Sequence, residues 1–376
     1  MERHNTLNIV EGWHHPMREY IEAHRQGNLL KLVTHLSNTC NLSCPGCFVN
    51  RPDDDVNEKR KARRHDEMSF EDQKALLQEA KQMGVKTIDI VGAGEPTLDP
   101  HFEQFVDEVE KLEMDLVVFT HGATKTFQRE NLVKYKNKPI SFFIKLWSLD
   151  QNKMNQYVRG ALRNYAQMRD EAIQNLEELG FMQGKTVNID GKDRQITRVG
   201  ADVLVMKSNI DEIPDIFRFC RRKGIMPIIK TYIPQGPTKL DHQNESFAGL
   251  SVEEQEKLKA DAVTPAEFDG LRKQIEKIDE EEFGNERLEV FYPQGVFCTQ
   301  SAGSLYITIN GDILSCVGTG HIYGKYQPET KALSETVRDR IEKVGVGCIP
   351  RIEEAERLNN EIPERERKIL EMGSED

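Results

Sequence analysis

The chain has 376 residues, 38 % of them hydrophobic and 30 % charged, and a net charge of −12. That length buries a substantial core and allows one large domain with an appendage, while the acidic balance opposes a nucleic-acid substrate, which calls for a basic face. No apolar run approaches the ~20 residues of a membrane span, and the first residues lack the apolar stretch of a secretory signal.

The first predicted strand, 30–36, runs into a loop that carries Cys40, Cys44 and Cys47 in the spacing Cys-x3-Cys-x2-Cys. Three thiolates from one short loop can ligate three irons of a [4Fe–4S] cube and leave the fourth iron open to another ligand. A structural zinc site would want a fourth Cys or His nearby and usually pairs two-residue gaps; this loop supplies neither. Clustered, unpaired thiols argue for metal and a reducing compartment, hence the cytoplasm. The basic run Lys59, Arg60, Lys61, Arg63 and Arg64 follows. Its plainest reading is a solvated insertion, and its sign contrast with an acidic chain also suits docking of an acidic electron donor such as ferredoxin or flavodoxin.

A helix over 69–83 precedes the second strand, 87–91, which enters a turn holding Gly92, Gly94 and Glu95. Without a Cβ, the two glycines can expose backbone amides and carbonyls to a ligand, and Glu95 adds a carboxylate suited to a cationic amino group. An ordinary strand-to-helix turn has the same pattern. A helix over 100–112 leads to strand 115–120, which ends at Thr120, His121 and Gly122. Strand 142–147 then leads to Ser148, Asp150 and Arg159, where Asp150 also fits a helix cap.

Beyond a helix over 161–179 and a hairpin excursion over 183–199 comes strand 202–207. The helix over 212–223 places Cys220 on an apolar stripe with Ile213, Ile216 and Phe217, where a thiol behaves as a small hydrophobe. Strand 226–232 puts Lys230 and Tyr232 on one face by its period of two, as substrate-contact or proton-transfer candidates; a surface lysine and a packing tyrosine are the alternative. A helical stretch over 250–283 precedes the hairpin 304–316, whose Asn310-Gly311-Asp312 turn demands positive φ. Cys298, Gly311 and Cys316 are separated by twelve and four residues, with Cys348 later and His321 nearby. The tail 351–376 is highly charged and reads as a surface helix with a frayed end.

Six alternating strand–helix units predict a parallel α/β fold. The three-cysteine loop followed by the Gly-rich turn resembles the radical S-adenosylmethionine (SAM) superfamily. The Cys298–Gly311–Cys316 spacing resembles the first half of the auxiliary-cluster pattern in SPASM and Twitch extensions, with only Cys348 beyond it. The resemblance implies a partial (βα)6 TIM-like barrel with a small C-terminal Twitch-like β-hairpin and helix domain. The expected division is an N-terminal extension 1–28, a radical SAM core 29–235, a bridging helical segment 236–294, the auxiliary domain 295–350 and a tail 351–376.

By that resemblance Cys40, Cys44 and Cys47 hold a [4Fe–4S] cluster, and Gly92, Gly94, Glu95, Ser148, Asp150 and Arg159 hold SAM. Cys298, Cys316 and Cys348 bind a second, auxiliary iron–sulfur cluster, with His321 one candidate for its fourth ligand and a solvated loop histidine the alternative. The implied chemistry is reductive cleavage of SAM to a 5′-deoxyadenosyl radical that abstracts a substrate hydrogen. The chain looks most like Twitch-containing enzymes that oxidise or rearrange small polar metabolites such as sugars and aminocyclitols. A peptide-modifying maturase is one alternative; fewer than thirty residues precede the first strand, too few for a leader-binding winged helix, though a separate binding protein could replace it. A non-catalytic iron–sulfur electron carrier is another, and SAM binding separates it from an enzyme.

Overall fold

A computed structural model describes residues 9–47, 67–158, 162–189, 192–232, 251–284, 291–292, 303–314, 316–317, 322–328, 330 and 332–344. The strands in chain order are β1 (Ile9–Val10), β2 (Lys31–Thr34), β3 (Thr87–Ile90), β4 (Asp115–Thr120), β5 (Ile140–Lys145), β6 (Thr186–Ile189), β7 (Lys192–Thr197), β8 (Val199–Leu204), β9 (Met226–Lys230), β10 (Phe291–Tyr292), β11 (Ser304–Ile307), β12 (Asp312–Leu314) and β13 (Ile322–Lys325). All six strands predicted for the core are present, with ends displaced by up to three residues. Among the described residues no helix is long and apolar enough to cross a membrane.

The chain divides into two compact units, each drawn from three stretches, and β4 begins in one and ends in the other. The unit of His15–Asn38, Arg63–Val117 and Cys298–Asp376 runs its strands in the order β4-β3-β2-β11-β12-β13. β2 pairs in parallel with β3 on one side and with β11 on the other. All four residues of each of these three strands are buried, as expected where a parallel sheet is covered on both faces. The helix Phe70–Gln82 starts at a capping box, with Ser69 accepting from the Asp72 amide and the Asp72 carboxylate accepting from the Ser69 amide, which satisfies two donors of its first turn. The predicted C-terminal hairpin is β11–β12, antiparallel through Ile307 and Ile313, with Gly311 at φ 85° in its turn. Lys31 and Asp89 form a buried ion pair at 2.7 Å across β2 and β3.

The unit of Met1–His14, Thr39–Ala62 and Val118–Phe297 has the order β10-β9-β8-β5-β4, with β5, β8, β9 and β10 paired in parallel. Its helix Ile213–Lys223 has Pro214 in the first turn and Gly224 in the left-handed conformation at its end, with Arg221, Arg222 and Lys223 in the last turn; each is a standard start or stop signal. Cys220 is fully buried on that helix, and burial pushes its thiol well above the ordinary range, in keeping with a packing role. The predicted excursion is the antiparallel pair β6–β7, to which β1 adds in parallel. Trp13 then lies edge-on to Phe119 and Phe143, at centroid distances of 5.3 and 5.1 Å. Position 200 has to be glycine, since a Cβ there would stand 2.1 Å from the Phe143 ring. The helical stretch predicted over 250–283 comprises the helices Val252–Asp261 and Pro265–Ile278 and a final π-turn, Asp279–Phe283.

Candidate active site

The cysteine loop belongs to the second of these units. Cys44 is buried, Cys40 and Cys47 are partly so, and all three pack on one apolar cluster with Leu42, Trp147, Tyr165 and Met206. The loop is shaped by its own backbone: the Leu42 amide donates to Cys40 Sγ at 3.4 Å, and the Cys47 amide donates to the Cys44 carbonyl at 3.1 Å. Tyr232, one of the predicted strand-end residues, covers Gly46 so closely that a Cβ there would lie 2.8 Å from its ring. Burial raises the Tyr232 hydroxyl above the usual tyrosine range.

Strand ends tie this loop down. At the end of β4, His121 Nδ1 accepts from the Ala123 amide at 3.0 Å. Its proton therefore sits on Nε2, which donates to Asn41 Oδ1 at 2.7 Å, between two of the cysteines. The Tyr165 hydroxyl holds the His121 carbonyl at 3.0 Å. At the end of β5, Lys145 Nζ donates to Cys44 Sγ at 3.2 Å and sits 4.4 Å from the centre of the Trp147 ring. Burial works to lower the Lys145 ammonium, but the Cys44 sulfur, Tyr165 and Cys47 outweigh it and hold it above the ordinary lysine range.

Lys145 is the register partner of Asp202 on β8, and Asp202 Oδ1 meets Lys230 Nζ at 2.6 Å. Lys145, Asp202 and Lys230 therefore share one face of the sheet, since side chains alternate along strands. Lys230 thus stands as half of an ion pair. Asn209 locks the strand ends from behind, donating to the carbonyls of Trp147 and Leu204 and accepting from the Met206 amide.

Ser148 is fully buried; its hydroxyl donates to Glu212 at 2.5 Å and accepts from the Asp150 amide. Asp150 caps the helix Gln151–Tyr157, accepting from the Lys153 amide at 2.9 Å. The buried guanidinium of Arg169 reaches the Ser148 carbonyl at 3.3 Å. Arg159 lies outside the described residues.

In the other unit, the turn after β3 has Gly92 at φ 86°, and the Gly94 amide donates to the Ser37 carbonyl at 2.7 Å. Glu95 is buried, with Oε1 accepting from the Thr97 amide and hydroxyl at 3.2 and 2.7 Å. The segment after β2 is held by Gln73, whose amide nitrogen donates to the Leu36 carbonyl at 3.0 Å, and by His35, which accepts from the Ile309 amide and bonds the Tyr306 hydroxyl. Of the auxiliary set, Cys316 is buried, while Cys298, Cys348 and His321 lie outside the described residues. So do the basic run 59–64 and the tail 351–376.

The cysteine loop suits an iron–sulfur group. It offers three soft sulfur donors, a cation already bonded to one of them, and the buried Trp147 indole N–H, which has no hydrogen-bond partner among the described residues. Among the described residues no three Cys, His, Asp or Glu side chains converge on one metal ion; a cube asks for no such convergence, because each thiolate takes its own iron. Sequence spacing did not point to Asn41, Asp202 or Asn209. The one available signal was Asp202 itself, a carboxylate inside an otherwise apolar strand.

Residues 34–195 match the Radical SAM superfamily. The tungsten-containing aldehyde ferredoxin oxidoreductase cofactor-modifying protein of Pyrococcus furiosus is 23 % identical over 216 residues, 56 % of this chain. The match spans 53 % of that relative, about half its length. Among solved structures, SuiB of Streptococcus suis bound to the precursor peptide SuiA superposes with a TM-score of 0.57 at 16 % identity, covering 87 % of this chain and 70 % of SuiB. Native anSMEcpe with bound AdoMet gives 0.55 at 12 % identity, covering 83 % of this chain and 82 % of its own. These likenesses show a shared fold of mixed α/β sheets, the class expected of a partial TIM-like barrel. The chain is an enzyme that matches the Radical SAM superfamily over residues 34–195.

Proposed function

We propose that this enzyme holds a [4Fe–4S] cluster on Cys40, Cys44 and Cys47 and oxidises or rearranges a small polar metabolite, of the sugar or aminocyclitol kind. The carrying observation is the Lys230–Asp202 pair, with 17 % and 14 % side-chain exposure, on the sheet face whose Lys145 bonds Cys44. A polar pair near the cluster loop can offer its remaining donors and acceptors to hydroxyl or amino groups, which an apolar substrate would leave unused. When bound, the cluster and SAM supply the one-electron cleavage that releases a 5′-deoxyadenosyl radical for hydrogen abstraction.

The chain's own residues position and exclude. Tyr232 over Gly46 and the apolar packing of Leu42, Trp147 and Met206 keep water from the loop. Lys230 and Tyr232 stand as substrate-contact or proton-transfer groups. Gly92, Gly94 and Glu95, and separately Ser148, Asp150 and Arg159, are the proposed SAM contacts, with the Arg159 guanidinium suited to a carboxylate. Cys298, Cys316 and Cys348 are proposed to bind an auxiliary cluster in a Twitch-like segment, and the run 59–64 to receive ferredoxin or flavodoxin. Replacing those five basic residues by Glu should lower turnover with ferredoxin while leaving turnover with a small chemical reductant nearly unchanged; equal loss with both removes the docking role.

A peptide substrate is the second reading, favoured by the fold likeness to SuiB, a structure bound to its precursor peptide. Deuterated metabolite pools and deuterated peptides, each incubated with enzyme, SAM and reductant, separate the two. Deuterium should appear in 5′-deoxyadenosine from a small hydroxylated or amino-bearing metabolite. Transfer only from peptides would overturn the metabolite reading.

A further inference from the structure

We infer that Lys145 tunes the electron affinity of the cluster site through a charge-assisted hydrogen bond to the Cys44 sulfur, with Trp147 orienting its ammonium. The inference rests on the proposed assignment of Cys40, Cys44 and Cys47 as cluster ligands. Lys145 Nζ lies 3.2 Å from Cys44 Sγ, within donor range of a sulfur acceptor. The same nitrogen sits 4.4 Å from the centre of the Trp147 ring, well inside the ~6 Å reach of a cation–π contact. Two independent contacts thus fix one cation on one cysteine.

The position follows from the strand. Lys145 is the last residue of β5, and its backbone is clamped by pairing with Asp202 on β8. The amide of the next residue, Leu146, donates to the Asp202 carbonyl at 3.0 Å. The carboxylate of Lys145's register partner, Asp202, is engaged with Lys230 at 2.6 Å. Among the described residues, the Cys44 sulfur is the acceptor that the Lys145 ammonium meets.

A cube with three thiolates carries more negative charge after it accepts an electron than before. A fixed cation and an N–H donor at a ligand sulfur therefore favour the reduced form, and hydrogen bonds to the sulfurs are among the factors that set such potentials. The partly buried surroundings strengthen the effect, because charge is screened less there than in water. The electron comes from a one-electron donor of low potential, and no bond to Lys145 forms or breaks.

The test is a redox titration of the anaerobically reconstituted full-length protein, without SAM. It follows the paramagnetic signal that SAM addition later perturbs, so that a second cluster does not contribute. Lys145→Met should hold as much iron as the wild type yet show an at least tenfold lower reduced-to-oxidised ratio at fixed poise, equivalent to about 59 mV for one electron. Lys145→Arg, which keeps charge and donor, should stay within threefold of the wild type, and Trp147→Leu should fall between the two. A Lys145→Met ratio within twofold of wild type would overturn the inference. So would loss of the cluster in Lys145→Met but not in Lys145→Arg, which would make the residue a structural support. A wild-type protein that assembles no iron–sulfur cluster would fail the site assignment itself, a result distinct from either.

Discussion

At Gly46 and His121 single atoms decide how the cysteine loop is held. A Cβ on Gly46 would stand 2.8 Å from the Tyr232 ring, so Gly46→Ala must displace a partly buried tyrosine. Overpacking of this kind costs about 1–3 kcal/mol, and thermal unfolding should register it as a lowered Tm. Removing the ring with Tyr232→Ala should cancel most of the Gly46→Ala penalty, because the clash has one partner; additive losses would mean that the ring is not what excludes a side chain there. His121 offers a second check through its bond to Asn41 at 2.7 Å. Outer supports of metal-binding loops typically alter metal affinity by roughly 10-fold or more. His121→Ala and Asn41→Ala should each speed iron loss to a chelator by about that factor, and the double variant should be no worse than either single one, as expected for residues acting through one contact.

The strands carry the next layer of consequence. β2 and β3 are joined by the Lys31–Asp89 pair, with side-chain exposures of 3 % and 0 %. Burial lowers the Lys31 ammonium and raises the Asp89 carboxyl, against their mutual attraction. Breaking such a pair from one side leaves a charge stranded, at about 3–5 kcal/mol. Lys31→Met should therefore destabilise strongly in denaturant titration, and adding Asp89→Leu should recover much of the loss. No recovery would show that the pair's own attraction, and not the stranded partner, dominates.

The six core strands were legible because strands buried on both faces leave apolar runs bounded by turn residues, and the helices because Ser69, Pro214 and Gly224 stand where starts and stops belong. The bounds of β8 were not: the pattern suggested 202–207, whereas pairing with β5 and β9 selects Val199–Leu204, since ladder partners override local composition. Nor did the pattern reveal that β11 joins β2, a partnership of residues some 270 positions apart that no local signal encodes.

The site divides in the same way at the scale of the whole molecule. The cysteine loop could be singled out in the sequence, because a short loop writes its chemistry in its spacing. His121 and Lys145 could be placed at strand ends, but how they hold the loop could not be read, because the Lys145–Cys44 and His121–Asn41 contacts span 101 and 80 residues and exist only once the strands are assembled. Ser148 and Asp150 were singled out for a ligand, and the proposed SAM role would require their present bonds to Glu212 and to a helix start to be shared or exchanged. The proposed auxiliary cluster makes a statement about the full chain. Anaerobically reconstituted protein should hold about eight irons, two cubes' worth, and Cys298→Ala with Cys316→Ala should reduce that to about four. Four irons in the unaltered protein, unaffected by those substitutions, would remove the second cluster.

The most direct test of the account is the replacement of Cys40, Cys44 and Cys47 together by Ala, followed by assay of 5′-deoxyadenosine formed from SAM under dithionite. The triple variant should retain its fold by circular dichroism and form no 5′-deoxyadenosine above the protein-free background. Continued formation at a rate comparable to the unaltered enzyme would contradict the assignment of this loop as the centre of the chemistry.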